Sequence, residues 1–260
     1  MPLRLTLLTA GFCTAPEAAA VAGGRWRPRR FPAGIALVEG HGAGPVLFDT
    51  GYAPRFRDAT RPFPYRLYRW TTPTTVRPDE TAAAQLAARG IAPHALRHVV
   101  LSHLHADHVA GLRDFPNAAI HVFPEAAAFV RGLHGLRAVR AGFIPALLPD
   151  DFATRVRSPE RRVALPAGLA PFRDGFDLFG DGQILGVPLP GHAPGQMGLY
   201  LEPASGPPTL LAAVRENAPL PRVGRAILHD AAAARETQGR LHRLMAARPD
   251  LRVVLSHDAR

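Results

Sequence analysis

A chain of 260 residues with 47% hydrophobic content can build one large-cored domain, and its apolar runs are too short to span a bilayer. The formal charge is +10 and every basic residue is arginine. These arginines are scattered rather than gathered into a stripe, which disfavours nucleic acid as a partner. A lone cysteine, Cys13, excludes an intramolecular disulfide framework and fits a reducing, cytoplasmic setting. Leu3 to Leu8 reads as a first strand. Arg4, the short apolar stretch and Ala18 to Ala20 also outline an export leader, but Thr6 and Thr9 interrupt it. Ile35 to Glu39 and Val46 to Phe48 form a hairpin across the Gly40–Pro45 turn. Asp49 follows, either as a carboxylate that orients a ligand or as a turn cap.

Residues 52–78 stand apart, with Tyr52, Phe56, Phe63, Tyr65, Tyr68 and Trp70 set among arginines and prolines. The segment reads as a long loop: a lid, a homodimer contact, or a strap packed on the core. As a lid it makes Tyr68 and Trp70 candidates for substrate contact. Asp79 is expected to cap a helix over Glu80 to Arg89, closed by Gly90. A buried strand at Val99 to Leu101 precedes a short helix at Val109 to Leu112. Ala119 to Phe123 is a strand and Pro124 to Leu133 a helix; His134 to Arg162 carries no readable pattern. Strands then recur at Phe176–Phe179, Gln183–Leu189, Met197–Leu201 and Thr209–Ala213. Asp230 caps a helix to Ala247, and Arg252 to Asp258 is the last strand. With no repeat and no linker, 1–260 reads as one domain.

The chemistry sits at strand ends. After Val99-Val100-Leu101, three histidines and an aspartate fall within six residues: His103, His105, Asp107 and His108. In extended His-x-His, both rings point to the same side and can grip one cation; Asp107 and His108 can face a second. Neutral imidazoles and a carboxylate suit Zn²⁺, and also Fe or Mn²⁺. Packing alone is a poor explanation, because clustered polar groups are costly to bury. His192, in Pro190-Gly191-His192-Ala193-Pro194-Gly195, and His257, after Val253-Val254-Leu255-Ser256, share the strand-end setting. The remaining histidines, His98, His121 and His229 among them, read as structural or solvent-exposed.

Ser102-His103-Leu104-His105-Ala106-Asp107-His108 resembles the His-x-His-x-Asp-His signature of the metallo-β-lactamase superfamily. Phe48-Asp49-Thr50-Gly51, the His192 loop and Ser256-His257 resemble three further motifs of that family, in the same order. The likeness runs from about Ile35 to His257 and is nearest to the lactonase-like branch. It implies a four-layered αβ/βα sandwich of two mixed β-sheets flanked by helices. It assigns His103, His105 and His192 to one metal and Asp107, His108 and His257 to a second, as one or two Zn²⁺ ions. It implies a hydroxide nucleophile, with Asp107 orienting it or carrying a proton, acting on a small ester, lactone or thioester.

One departure qualifies that reading. The family carries a bridging aspartate after the strand between its last two histidine motifs. Here no aspartate occurs between Asp181 and Asp230. Either Val214 stands in its place or a short stretch is missing after Ala213; Glu216 is a distant substitute. The expectation is weaker hold on the second metal and reduced activity. Two alternatives follow: a degenerate member that binds without turnover, and a phosphodiesterase or nuclease using the same metals.

Overall fold

In the computed structural model the described residues are 2–20, 24–213 and 228–257. The first strand, β1 (Arg4–Pro16), pairs antiparallel with β2 (Pro28–Glu39) through a bulge between Thr9 and Phe12. It therefore runs well past the Leu3–Leu8 stretch that its apolar pattern marks, and β2 absorbs most of the expected Arg-rich loop. Strands β3 (Val46–Phe48), β4 (Thr74–Thr75), β5 (His98–Val100), β6 (Ala119–His121) and β7 (Val156–Arg157) complete a sheet of order β4-β1-β2-β3-β5-β6-β7. From β3 onward that half is parallel. The second sheet has the order β13-β12-β11-β10-β9-β8. Its strands are β8 (Arg162–Ala164), β9 (Asp174–Asp177), β10 (Ile184–Pro188), β11 (Met197–Leu201), β12 (Thr209–Ala212) and β13 (Arg252–Leu255). Only its β12–β13 pair is parallel.

Alternation along the strands separates three cores. Val46, Phe48 and Val100 point between the sheets and meet Ile184, Met197, Leu199 and Leu211. Leu47, Val99 and Ile120 point the other way, onto Leu86, Val109, Leu112 and Phe115. On the far side, Val187, Leu210 and Ala212 pack against Leu241 and Leu244 of the long C-terminal helix. Three apolar layers between four rows of elements make the expected sandwich of two mixed sheets flanked by helices.

The helices are α1 (Glu17–Ala20), α2 (Arg55–Ala59), α3 (Arg66–Thr71), α4 (Ala82–Ala87), α5 (Ala106–Val109), α6 (Pro124–Val130), α7 (Gly135–Arg140), α8 (Phe152–Arg155) and α9 (Ala231–Ala247). Three expectations need correction. Residues 52–78 are not a long loop: α2 and α3 form there, because Tyr52 and Phe56 are almost fully buried and anchor the segment on the core. The cap of α4 is Thr81, whose hydroxyl accepts from Ala84 N at 3.2 Å, while Asp79 is held by Arg77 at 3.0 Å. The short helix near 110 begins earlier, so Asp107 and His108 lie within α5 rather than before it. The cap of α9 stands as read, with Asp230 accepting from Ala232 and Ala233 N. No helix among the described residues is long and apolar enough to cross a membrane.

Candidate metal centre

Asp49 follows β3, and Ser102 follows β5, its parallel neighbour. Because Phe48 is paired with Val100, both chain exits leave the sheet at one level. Asp49 N donates to Val100 O at 2.9 Å and its backbone turns into the left-handed region, φ 58. Aspartate tolerates that conformation better than most side chains. The turn aims a fully buried carboxylate at the ligand loop. Oδ1 accepts from Ser102 N at 2.8 Å. Oδ2 accepts from Ser102 Oγ at 2.8 Å and from His108 Nδ1 at 2.7 Å.

These bonds set the tautomers of the buried histidines. With its one proton given to Asp49, the Ser102 hydroxyl accepts from His103 Nδ1 at 3.0 Å. His108 gives its Nδ1 proton to Asp49, and His257 gives its own to Pro32 O at 3.0 Å. In each ring Nε2 is left to face inward, as in metal-binding histidines steered from behind by a carboxylate or carbonyl. His103 Nε2 and His108 Nε2 are buried and have no hydrogen-bond partner. Orphaned polar atoms of this kind are rare in folded interiors and call for a ligand.

Around those atoms the chain gathers the expected set. Ligand atoms of His103, His105 and His192 lie within 4.8 Å of one another, and so do those of Asp107, His108 and His257. The two triads adjoin, with the His103 and His108 rings 4.1 Å apart. Asp107 Oδ2 stands 3.4 Å from His108 Nε2 and 3.6 Å from His257 Nε2. Three neutral imidazoles, and a carboxylate with two more, match what Zn²⁺ accepts. Electrostatics sorts the members without metal. Burial, then the neighbouring histidines, hold His103 well below its usual range. Burial also opposes charge on His108, but Asp107 and Asp49 outweigh it and raise the ring to about 10. Burial would raise Asp107; His108 and His257 prevail and hold it well below the usual carboxylate range.

Backbone contacts fix the distant ligands. Met197 N donates to Ser102 O at 2.8 Å, joining the ligand loop to the second sheet. Gly191, φ +124, lets the His192 loop touch α9: a Cβ there would lie 2.0 Å from Ala234 N. His229 N donates to His192 O at 3.2 Å, and Gly34 N to Ser256 O at 2.9 Å. Tyr68 packs edge-on against Phe56, ring centres 5.7 Å apart, while Trp70 is largely exposed. The expected position of the bridging carboxylate, Val214 or Glu216, lies outside the described residues.

A cavity of about 310 Å³ opens beside the first triad, lined by His105, His192, Phe129, Arg137, Arg140 and His229 among others. Neither Tyr68 nor Trp70 lines it. Ser102, Thr50, Arg137, Arg140 and His229 are contributors that the sequence did not single out. Thr50 gives both its amide and its hydroxyl to His108 O, each at 2.8 Å. Thr50 and Ser102 sat inside quoted motifs, so their position beside ligands was the available signal.

Residues 30–257 match the Metallo-beta-lactamase superfamily. The chain belongs to that superfamily. Among relatives of this superfamily member, the N-acyl homoserine lactonase AttM of Azorhizobium caulinodans is 35% identical over 137 residues, 51% of this chain and 46% of the relative. The probable metallo-hydrolase Rv2300c of Mycobacterium tuberculosis is 33% identical over 165 residues, 61% of this chain and 49% of the relative. The chain thus spans about half the length of the curated relatives it matches. An N-acyl homoserine lactone hydrolase solved with N-hexanoyl-L-homoserine at its catalytic metal center aligns with a TM-score of 0.71 at 20% identity, over 99% of this chain and 94% of that one. AidC, a dizinc quorum-quenching lactonase, aligns at 0.67 and 17% identity, over 98% and 87%. At such identities these two likenesses are of fold.

Proposed function

We propose that this chain is a metal-dependent hydrolase of carboxylic esters and lactones, acting on a small molecule bound in the cavity beside His105 and His192. The observation that carries the reading is the pair of adjoining triads with inward, unpartnered Nε2 atoms on His103 and His108. The lactonase relatives support the lactone as substrate class. His103, His105 and His192 would hold one ion and Asp107, His108 and His257 the other; zinc suits both sets, and Fe or Mn²⁺ is accepted by the same donors. Such an ion supplies a water acidified to ~7 and polarises the carbonyl under attack.

The chain's own residues do the rest. Asp49 and Ser102 keep His103 and His108 in the tautomer that offers Nε2 inward. The Asp107 carboxylate orients the attacking water, takes up its proton and returns it to the alkoxide set free when the acyl C–O bond breaks. The apolar wall at Phe129 and Pro194 shields one side of the cavity from solvent.

The test is turnover by metal-loaded protein of N-hexanoyl homoserine lactone and aryl esters, with Zn²⁺, Mn²⁺ or Fe²⁺. His105→Ala should lower kcat/KM at least about 100-fold with the circular dichroism unchanged. No turnover with any of the metals would overturn the reading and favour a binding role. Because no aspartate lies between Asp181 and Asp230, the second ion is expected to bind more weakly than the first. Two equally tight zinc equivalents per chain, measured against a competing chelator, would refute that.

A further inference from the structure

We infer that the substrate carries a carboxylate besides its ester or lactone group, held by Arg137 and Arg140 while the ester or lactone carbonyl sits at His105 and His192. This deepens the hydrolase reading above and rests on it.

Arg137 and Arg140 are three apart on α7, so their side chains share a face. Both line the same cavity as His105 and His192. No carboxylate is among the lining residues, and no ion pair engages either guanidinium among the described residues. Other arginines of this half are paired, Arg113 with Asp150 at 2.7 Å and Arg155 with Asp151 at 3.3 Å. Besides His229, the rest of the wall is apolar, from Phe129, Leu133, Ala141, Pro194 and Leu228. A cavity lined by two metal-ligand histidines, apolar side chains and two arginines with no ion-pair partner among the described residues fits a molecule that carries a carbonyl, an apolar chain and a carboxylate. Arginine forks match carboxylates in shape as well as charge.

The cations are fixed relative to the metal ligands. Gly142, just past α7, has φ +68, and a Cβ there would lie 2.8 Å from Cδ2 of His105. Its carbonyl accepts from Ala106 N at 3.1 Å, directly beside His105. Phe143 N donates back to Ala138 O at 2.9 Å, closing the helix end. At the other end Gly135 N donates to Tyr65 Oη at 3.1 Å, so the aromatic 52–78 segment also anchors α7. The arginine-bearing helix is thus held at one end against a metal ligand and at the other against the core-packed aromatics.

Two substrates of equal chain length separate the possibilities: 4-nitrophenyl hexanoate, and the mono-4-nitrophenyl ester of adipic acid. The zinc-loaded protein should show kcat/KM at least about tenfold higher for the adipate ester, the scale of a charge-assisted hydrogen bond. In Arg137→Ala/Arg140→Ala the ratio should fall to near one; Arg→Lys at both should retain part of it; added salt should narrow it. A ratio near one in the wild type, or one unchanged in the double variant, overturns the inference while leaving the hydrolase reading standing. Calorimetric binding of adipate against hexanoate to the zinc-loaded protein gives the same comparison without turnover. If neither ester is cleaved, adipate bound tenfold tighter, with the difference lost in the double variant, still supports the carboxylate site. Equal binding overturns it.

Discussion

Two groups of histidines flank strand β5, and opposite chemistry holds them. Beyond its carboxyl end, His108 is backed by Asp49 and faced by Asp107, and its ring is raised to about 10 in the metal-free protein. At its start, His98 Nδ1 meets His121 Nε2 at 3.1 Å, and both rings pack on Phe179. No carboxylate engages either ring among the described residues. Burial, then His98 and Arg157, push His121 down to about 4. A bond between two imidazoles needs a lone pair on one of them, so the rings are not both protonated, and burial disfavours charge on either. A pair of buried histidines therefore does not by itself make a metal centre. The carboxylate behind the ring fixes the proton on Nδ1 and turns the Nε2 lone pair into the site. Where it is missing, two rings satisfy each other and leave nothing for a cation.

Removing that carboxylate should have the largest effect. Asp49→Ala strands a buried, protonated His108 and leaves Ser102 without its acceptor. Breaking a buried charged pair from one side costs about 3–5 kcal/mol. The metal-free protein should lose stability of that order in urea at pH 7. Zinc affinity at the Asp107, His108 and His257 triad should fall about 10–100-fold against a chelator. A stability loss below about 1 kcal/mol with unchanged zinc binding would reduce Asp49 to the turn cap that its sequence position equally allowed.

The contrast also marks what was legible in the sequence. The members of both triads stood out in the sequence, because each follows a short apolar run bounded by glycine, proline or serine. Strands β3 and β11 were readable to the residue for the same reason. Less local features were hidden. Beyond Thr9, β1 has no clean alternation, and backbone pairing with β2 carries it through a bulge. Arg77 competes for Asp79, which moves the helix cap to Thr81. The 52–78 segment declared its aromatics but not that Tyr52 and Phe56 would bury and fold it into helices. No residue of 52–78 lines the cavity, while Arg137 and Arg140 do, from the stretch that had no readable period. Their approach to His105 depends on the turn at Gly142, a tertiary fact no local pattern encodes. His98 and His121 read singly as structural or solvent-exposed, and their partnership across two strands was invisible.

The smaller effect tests the other half of the contrast, through pH. His121 is buried, with a folded value of about 4 against about 6.5 when unfolded. Between those values the unfolded chain binds the extra proton, so stability is full above 6.5 and falls as pH drops toward 4. The loss from this one ring is about 2–3 kcal/mol by pH 4.5. His108 has the opposite sign: its raised value gives stability that is complete below 6.5 and declines only as pH climbs toward 10. In the metal-free protein the ligand cluster's His108 thus adds no slope in the acid window, but His103, also held low by burial, does, so the His98–His121 pair is read from the difference between a variant and the wild type. His121→Phe places an apolar ring against Phe179 and removes the titrating group. Urea unfolding at pH 7 and pH 4.5 should show the variant losing about 2–3 kcal/mol less than the wild type on acidification, with zinc stoichiometry at pH 7 unchanged. Equal acid losses in the two proteins would mean that the pair is not held neutral. The two histidine groups would then differ only in position, and Asp49 behind His108 would no longer explain why one group presents an inward Nε2 and the other does not.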